Sequence, residues 1–247
     1  MKIEIKEILD ANTVRITTPD ERWYQLPNTD IWLPSSTWIC DYAPKGIEFY
    51  KWLASKGWDE AESIKVSAGN KGSIVHNATE ILAKTGEIKI DETFQDSNGD
   101  FREMTADEYE GVMSFYNFCN DYDVEFLDHE KTVFNKEIGY AGTLDHRIKI
   151  KTAEGIYIID KKTSANIYLS HEIQLSSYFH ADDIEADKMA ILQLGYKRNK
   201  KGYKFTEIED KFNLFISAYS FWEADNKGKQ PKQRDYPLTL TLHKGAF

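Results

Sequence analysis

Two cysteines, Cys40 and Cys119, are all that the 247 residues contain. They are too few for a disulfide framework, and no C-x-x-C spacing offers a zinc site, so a reducing cytoplasm suits the chain best. No stretch approaches the roughly 18 consecutive apolar residues of a membrane span. The opening MKIEIKEILD lacks the apolar centre of a signal peptide, and the expectation is a cytoplasmic protein with no membrane partner. Positive charge is in deficit as well, with 31 Lys and Arg against 41 Asp and Glu, a formal charge of −10. That balance argues against coating nucleic acid or an anionic membrane through bulk electrostatics. Such contact has to come from local patches, and two are visible: Lys197, Arg198, Lys200, Lys201 and Lys204 in KRNKKGYK, and Lys227, Lys229, Lys232 and Arg234 in NKGKQPKQR. Either reads equally as a solvated turn.

What is present describes a folded chain. Apolar residues make up 41% and aromatics 13%, well away from a disordered composition, and the length permits one large domain over 1–247 without demanding a second. Internal repeats and low-complexity linkers are missing. The segments MKIEIKEIL, TVRITTP and ERWYQL alternate apolar and polar residues and predict short antiparallel strands over the first thirty or so positions. After Pro34 the pattern turns helical: Ile47, Tyr50, Trp52 and Leu53 share related faces and read as core, with Gly57 as the stop. AGNKGSIVHNATEILAKTG reads as a Gly-rich lead-in to a helix through Leu82 capped by Gly86. Ala106, Tyr109, Val112, Met113, Tyr116 and Phe118 predict a helix over 105–120, and a β region follows from Val124 to Asp160. A further helix opens at Ser170 as N-cap with Glu172 in its first turn. KMAILQLG and GYKFTEIE then read as strands, and NLFISAYSFWEAD as a helix with Leu214, Ala218 and Phe221. The coarse result is a mixed α/β domain.

One stretch poses a chemical question. The apolar run Ile156–Ile159 ends in Asp160, Lys161 and Lys162, and a second aspartate, Asp145, heads the preceding strand-like run. If KTAE at 151–154 is a hairpin loop, Lys149 faces Ile156 and Asp145 faces Asp160. Directly opposed carboxylates destabilise a sheet and resist joint ionisation unless a cation lies between them. An oxygen-rich pair suits Mg²⁺ or Mn²⁺ better than Zn²⁺. Residues two apart on a strand share a face, so Lys162 points the way Asp160 does, where it can orient or help deprotonate a water and offset charge developing on a phosphate. This is an arrangement for phosphodiester hydrolysis.

These residues resemble the PD-(D/E)XK nuclease superfamily, especially its RecB-like and phage recombination exonuclease branches. The G-x-x-D element is Gly142-Thr143-Leu144-Asp145, the D-x-K element Asp160-Lys161-Lys162, and the Q-x-x-x-Y helix Gln174-Leu175-Ser176-Ser177-Tyr178. Upstream, GSIVHNATE is similar to the branch's first motif, a helix carrying a histidine ligand at His76. The motifs stand in the family's order over 72–178. The resemblance implies an α/β fold with a single-domain PD-(D/E)XK-type core, a mixed β-sheet flanked by helices, and a β-rich N-terminal extension over 1–30. It implies that His76, Asp145, Asp160 and the main-chain carbonyl of Lys161 bind Mg²⁺ or Mn²⁺. Lys162 is then the catalytic lysine, acting with Asp145 and Asp160, while Gln174 and Tyr178 face the site or the DNA backbone. Glu130 reads equally as a further ligand, which RecB-like proteins often have near there, or as a surface acid. Thr163 and Ser164 either bond phosphate or end the strand. The implied activity is a metal-dependent deoxyribonuclease, with exonuclease favoured over endonuclease, serving phage-type recombination or DNA processing in a bacterial or phage-infected host cytoplasm. Linear duplex or single-stranded DNA is the implied partner, with room for a recombination or annealing protein and for homo-oligomers. A nuclease-derived binding or assembly subunit that no longer cleaves is the rival reading. The middle residue of D-x-K is here a second lysine, Lys161, pointing to the opposite face. Four-cysteine iron–sulfur relatives exist in the RecB-like group, but two cysteines exclude a complete cluster of that type within one chain.

Overall fold

The computed structural model describes residues 6–9, 13–18, 21–232, 237 and 239–242. Four short strands come first: β1 (Glu7–Ile8), β2 (Val14–Thr17), β3 (Arg22–Gln25) and β4 (Trp32–Pro34), paired antiparallel in chain order. The expected first strand falls partly on 1–5, outside the described residues. Three helices follow, α1 (Ser36–Cys40), α2 (Ile47–Lys56) and α3 (Trp58–Thr85), then a hairpin of β5 (Thr93–Gln95) and β6 (Phe101–Glu103), and α4 (Ala106–Tyr122). The central sheet is built by β7 (Val124–Asn135), β8 (Tyr140–Ile150), β9 (Ala153–Lys162), β10 (Lys188–Leu194) and β11 (Tyr203–Glu207), with α5 (Leu169–Phe179) between β9 and β10 and α6 (Phe212–Asn226) last.

The central sheet runs in the order β11-β10-β9-β8-β7 and is mixed, because β10 lies parallel to β9 while every other pair is antiparallel. A parallel neighbour requires a crossover, and α5 supplies it. β9 is covered on both faces, which explains its unbroken apolar run. Tyr157 and Ile159 pack with Val75 of α3 and Phe115 and Phe118 of α4, whereas Ile158 packs with Leu175 and Tyr178 of α5. A further cluster joins the N-terminal strands and α1 to α6, where Trp23, Trp38 and Trp222 meet edge to face at centroid distances of 5.2 to 5.9 Å.

Local signals explain most boundaries. Thr105 and Glu108 form a capping box that starts α4, and Gly86 takes the left-handed conformation, φ +77°, that ends α3. The β8–β9 hairpin keeps the expected Lys149–Ile156 register but turns more tightly than a 151–154 loop. Ile150 pairs with Ala153, and the shift is absorbed by a bulge where Gly155 adopts φ +96°.

Several expectations are corrected. Ile47, Tyr50 and Trp52 are 66%, 54% and 37% exposed and Leu53 only half-buried, so the aromatics of α2 are not core. Periodicity reports an apolar face but not whether the same chain covers it. The Gly-rich segment around Gly69 and Gly72 is no lead-in but the interior of the 28-residue α3. Ser170 does not cap α5; it lies in the first turn, and Tyr168 holds the N-cap position. In α6 the buried stripe is Phe215, Ala218 and Trp222, while Leu214 and Phe221 are exposed. The same one-position slip occurs in α4, where Met113 and Tyr116 face outward and Val112, Phe115 and Phe118 face in.

Candidate metal centre

Three carboxylates line up across three neighbouring strands. Asp145 of β8 stands opposite Glu130 of β7, between the paired positions His129–His146 and Lys131–Leu144. On its other side the pairing with β9 ends at His146–Ile159, one position before Asp145 and Asp160, and the Lys161 N–H reaches the Asp145 side chain there. Glu130 interrupts its ladder by taking a left-handed φ of +44°. That conformation is disfavoured for a side-chain-bearing residue by about 1–2 kcal/mol, a strain of the kind concentrated at functional positions.

A helix delivers the fourth group. Ile74, Val75 and Ala78 of α3 are fully buried, and Val75 lies so close to Gly111 of α4 that a Cβ there would stand 3.2 Å from both of its methyl carbons. This approach seats α3 over the sheet end and aims His76 into the carboxylates. His76 Nε2 lies 2.9 Å from Asp145 Oδ2 and its Nδ1 lies 3.3 Å from Glu130 Oε1. One ligand atom each from His76, Glu130 and Asp145 lie within 4.8 Å of one another. Glu130 Oε1 is buried, and beyond its contact with His76 Nδ1 it makes no hydrogen bond. One imidazole and two carboxylates form a nitrogen–oxygen donor set that fits a divalent cation.

Asp160 stands apart from this trio. It is 2% exposed and pairs with Lys162, whose Nζ is 2.7 Å from Asp160 Oδ2. Lys161 turns to the opposite face, as strand alternation requires, and is engaged in two ways. Its main-chain N–H donates to Asp145 Oδ2 at 2.7 Å, and its ammonium donates to Thr79 Oγ1 at 3.1 Å.

The charges perturb one another in opposite directions. Burial, and behind it the charge of Asp145, pushes the Glu130 carboxyl up to about 7. Burial would raise Asp145 too, but His76, Lys161 and Lys162 together hold it well below the carboxylate range. Burial raises Asp160; Lys162 opposes this and Asp145 reinforces it, leaving the carboxyl above its usual value. Burial disfavours the Lys162 ammonium, yet Asp160 and Asp145 outweigh it and keep the proton on more firmly than in free lysine. Neighbouring titratable groups driven apart in this way mark a site suited to acid–base or metal chemistry.

Gln174 and Tyr178 share a face of α5, and Gln174 Nε2 donates to Tyr178 Oη at 2.7 Å and to Thr37 Oγ1 of α1 at 3.2 Å. Tyr178 is 2% exposed, and its ring lies against Gly142, where any Cβ would collide with it. The glycine of G-x-x-D and the tyrosine of Q-x-x-x-Y are thus one packing unit, and α1 locks it from the far side. Thr163 lies beside α3, 3.7 Å from where a Cβ on Gly72 would be, while Ser164 Oγ donates to the carbonyl of Asn166.

Two groups were not legible as site residues in the sequence. Thr79, one turn beyond His76, links Lys161 to α3. His171 falls on the Gln174–Tyr178 stripe of α5, and burial followed by the charges of Lys162 and Lys45 depresses it to about 4. The spacing His171, Gln174, Tyr178 was the available signal. The basic patches are neutralised in part: Lys197 pairs with Asp107, Lys201 with Asp121 and Lys232 with Glu21, while Arg234 lies outside the described residues. Burial pushes both thiols, Cys40 and Cys119, up to about 12, and they belong to different parts of the core. No described helix is long and apolar enough to cross a membrane.

The chain matches no protein-family model and no curated protein. Among solved structures, one described as "Crystal structure of SSO0001" is similar at 15% identity and a TM-score of 0.30, covering 46% of this chain. The chain spans 55% of that structure's length.

Proposed function

We propose that the protein is a metal-dependent DNA nuclease of the PD-(D/E)XK type, with exonuclease as the favoured mode. The observation that carries this reading is the convergence of His76, Glu130 and Asp145 within 4.8 Å, beside the buried Asp160–Lys162 pair on the adjoining strand. The donor set suits Mg²⁺ or Mn²⁺, and the row of carboxylates on neighbouring strands has no ready purpose in a sheet that binds no cation. A divalent ion held by these residues supplies Lewis acidity for water and phosphate.

The remaining roles belong to the chain. Asp145, kept ionised by its neighbours, is the anchoring ligand, and the Lys161 N–H fixes its rotamer. Glu130 holds its proton until a cation displaces it. Lys162, charged through its contact with Asp160, is placed to orient the attacking water and to offset charge on the phosphate. Gln174, with His171 on the same stripe, offers polar contacts to the nucleic-acid backbone.

The test is incubation of end-labelled linear DNA and closed circular DNA with Mg²⁺ or Mn²⁺. Label release from the linear substrate alone supports an exonuclease, and nicking of the circle reassigns the same site to an endonuclease. EDTA should abolish cleavage, and Ca²⁺, with its longer and looser coordination, should permit binding with little turnover. Full activity in EDTA, or DNA binding without cleavage under every metal, would overturn the nuclease reading, the latter in favour of a binding subunit.

A further inference from the structure

The second lysine of the D-x-K strand has a buried position of its own. Lys161 is 4% exposed, and its ammonium lies between two helices, donating to Thr79 Oγ1 and standing 5.7 Å from the centroid of the Phe115 ring. Thr79 in turn donates to the carbonyl of His76 at 3.0 Å. The side chain therefore sits directly behind the helical turn that presents His76, while its backbone holds Asp145.

A buried ammonium with a hydroxyl and an aromatic face as neighbours is poorly compensated by them alone. The titratable groups that its charge reaches are Glu130 and Asp145 on the sheet, His129 and His146 beside them, and Cys119 on α4. Both carboxylates are raised by burial and lowered by this ammonium. With Glu130 and Asp145 ionised, as metal ligation requires, and Asp160 paired with Lys162, three negative charges face the two positive charges of Lys161 and Lys162. The side chains then carry one net negative charge.

From this geometry we propose that Lys161 is a built-in counter-charge of the candidate metal centre, a positioning residue that occupies from between α3 and α4 the electrostatic place of a second cation and limits the centre to one divalent ion. The inference rests on the metal-centre reading but not on DNA cleavage. A single dication leaves the site at plus one, matched to one phosphate. Two would leave it at plus three against a fixed ammonium that cannot move away through the packed helices.

Isothermal titration calorimetry of Mn²⁺ into the full chain, without DNA, tests it. The parental protein should bind one ion. Lys161→Met, similar in length and uncharged, should bind Mn²⁺ about tenfold tighter or accept a second ion, because a repulsive charge has been removed. Thr79→Val removes the hydrogen bond but leaves the charge, and should keep the parental affinity within about twofold. A role confined to structural support predicts the reverse, with weaker binding in both variants. Two ions on the parental chain, or a folded Lys161→Met with equal or weaker affinity, overturns the proposal. If Lys161→Met does not fold, Lys161→Gln, which can still bond Thr79, takes its place with the same expectation; if neither folds, the parental stoichiometry decides. A parental chain that binds no Mn²⁺ sinks the metal centre and this proposal together, whereas one-ion binding without nuclease activity sinks only the nuclease reading.

Discussion

Two regions of the molecule invert the usual relation between polarity and burial. At the end of the central sheet Asp145, Asp160, Lys161 and His146 are between 0% and 6% exposed. On α2 and the start of α3, Ile47, Tyr50 and Trp58 are 66%, 54% and 71% exposed, and α2 buries no residue at all. Two of these charged groups meet strong partners, Asp160 with Lys162 and Asp145 with His76 and the Lys161 N–H, while the Lys161 ammonium has Thr79 and the Phe115 ring as its near neighbours. The aromatics stay out because no described element lies over them. Burial follows from what each surface finds opposite it, not from residue type alone.

The comparison breaks first where the buried charges are asked to do chemistry. Lys162→Ala should lower DNA cleavage by orders of magnitude while leaving metal binding close to parental, whereas Asp145→Asn or Asp160→Asn should weaken both. Single-turnover cleavage alongside calorimetry separates the two effects. Complete metal loss in Lys162→Ala would refute the assigned roles.

A second contrast lies within α5. Leu175 is fully buried and Gln174 half-exposed. Leu175→Ala should destabilise by about 2–5 kcal/mol in chemical denaturation. Gln174→Ala should reduce cleavage with little change in stability. If Gln174→Ala and Tyr178→Phe both cleave at the parental rate, this helix face is structural only.

A smaller effect reads the carboxylate row through pH. Folding raises Glu130 from 4.5 to about 7, chiefly by burial. An acid held more tightly to its proton when folded gives stability that is present below pH 4.5 and lost as pH climbs through 7. The melting temperature of EDTA-treated protein should therefore fall across that window, and Glu130→Gln should flatten the slope. An unchanged slope would show that Glu130 is not the titrating group.

The smallest change is expected at the exposed aromatics. Tyr50→Ser and Trp52→Ser should alter the stability of the isolated chain by no more than about 0.5 kcal/mol, as for surface positions generally. Losses of several kcal/mol would mean that these side chains are covered after all.

Part of the candidate site's arrangement was legible in the chain, for a definite reason. Strand alternation and hairpin register are local rules, so the Lys149–Ile156 register, Lys162 beside Asp160 and Lys161 on the far face could be worked out from spacing. Glu130 was not decided there, because its place in the row depends on how β7 pairs with β8 and on a left-handed backbone no local pattern announces. Gly142 and Tyr178 were separate motifs in the sequence and became one contact only when α5 crossed back over the sheet.

By itself, then, the sequence determined the alternation of strands and helices in the central part of the chain, the cap at Gly86, and the order of charged residues along β8 and β9. These depend on backbone sterics and neighbours a few positions away. The tertiary structure decided which helix faces were covered, that His76 reaches Glu130 and Asp145 rather than Asp160, and that Lys161 lies buried beneath them. Those outcomes depend on contacts between segments far apart in the chain, where close packing selects one partner among many surfaces of similar composition.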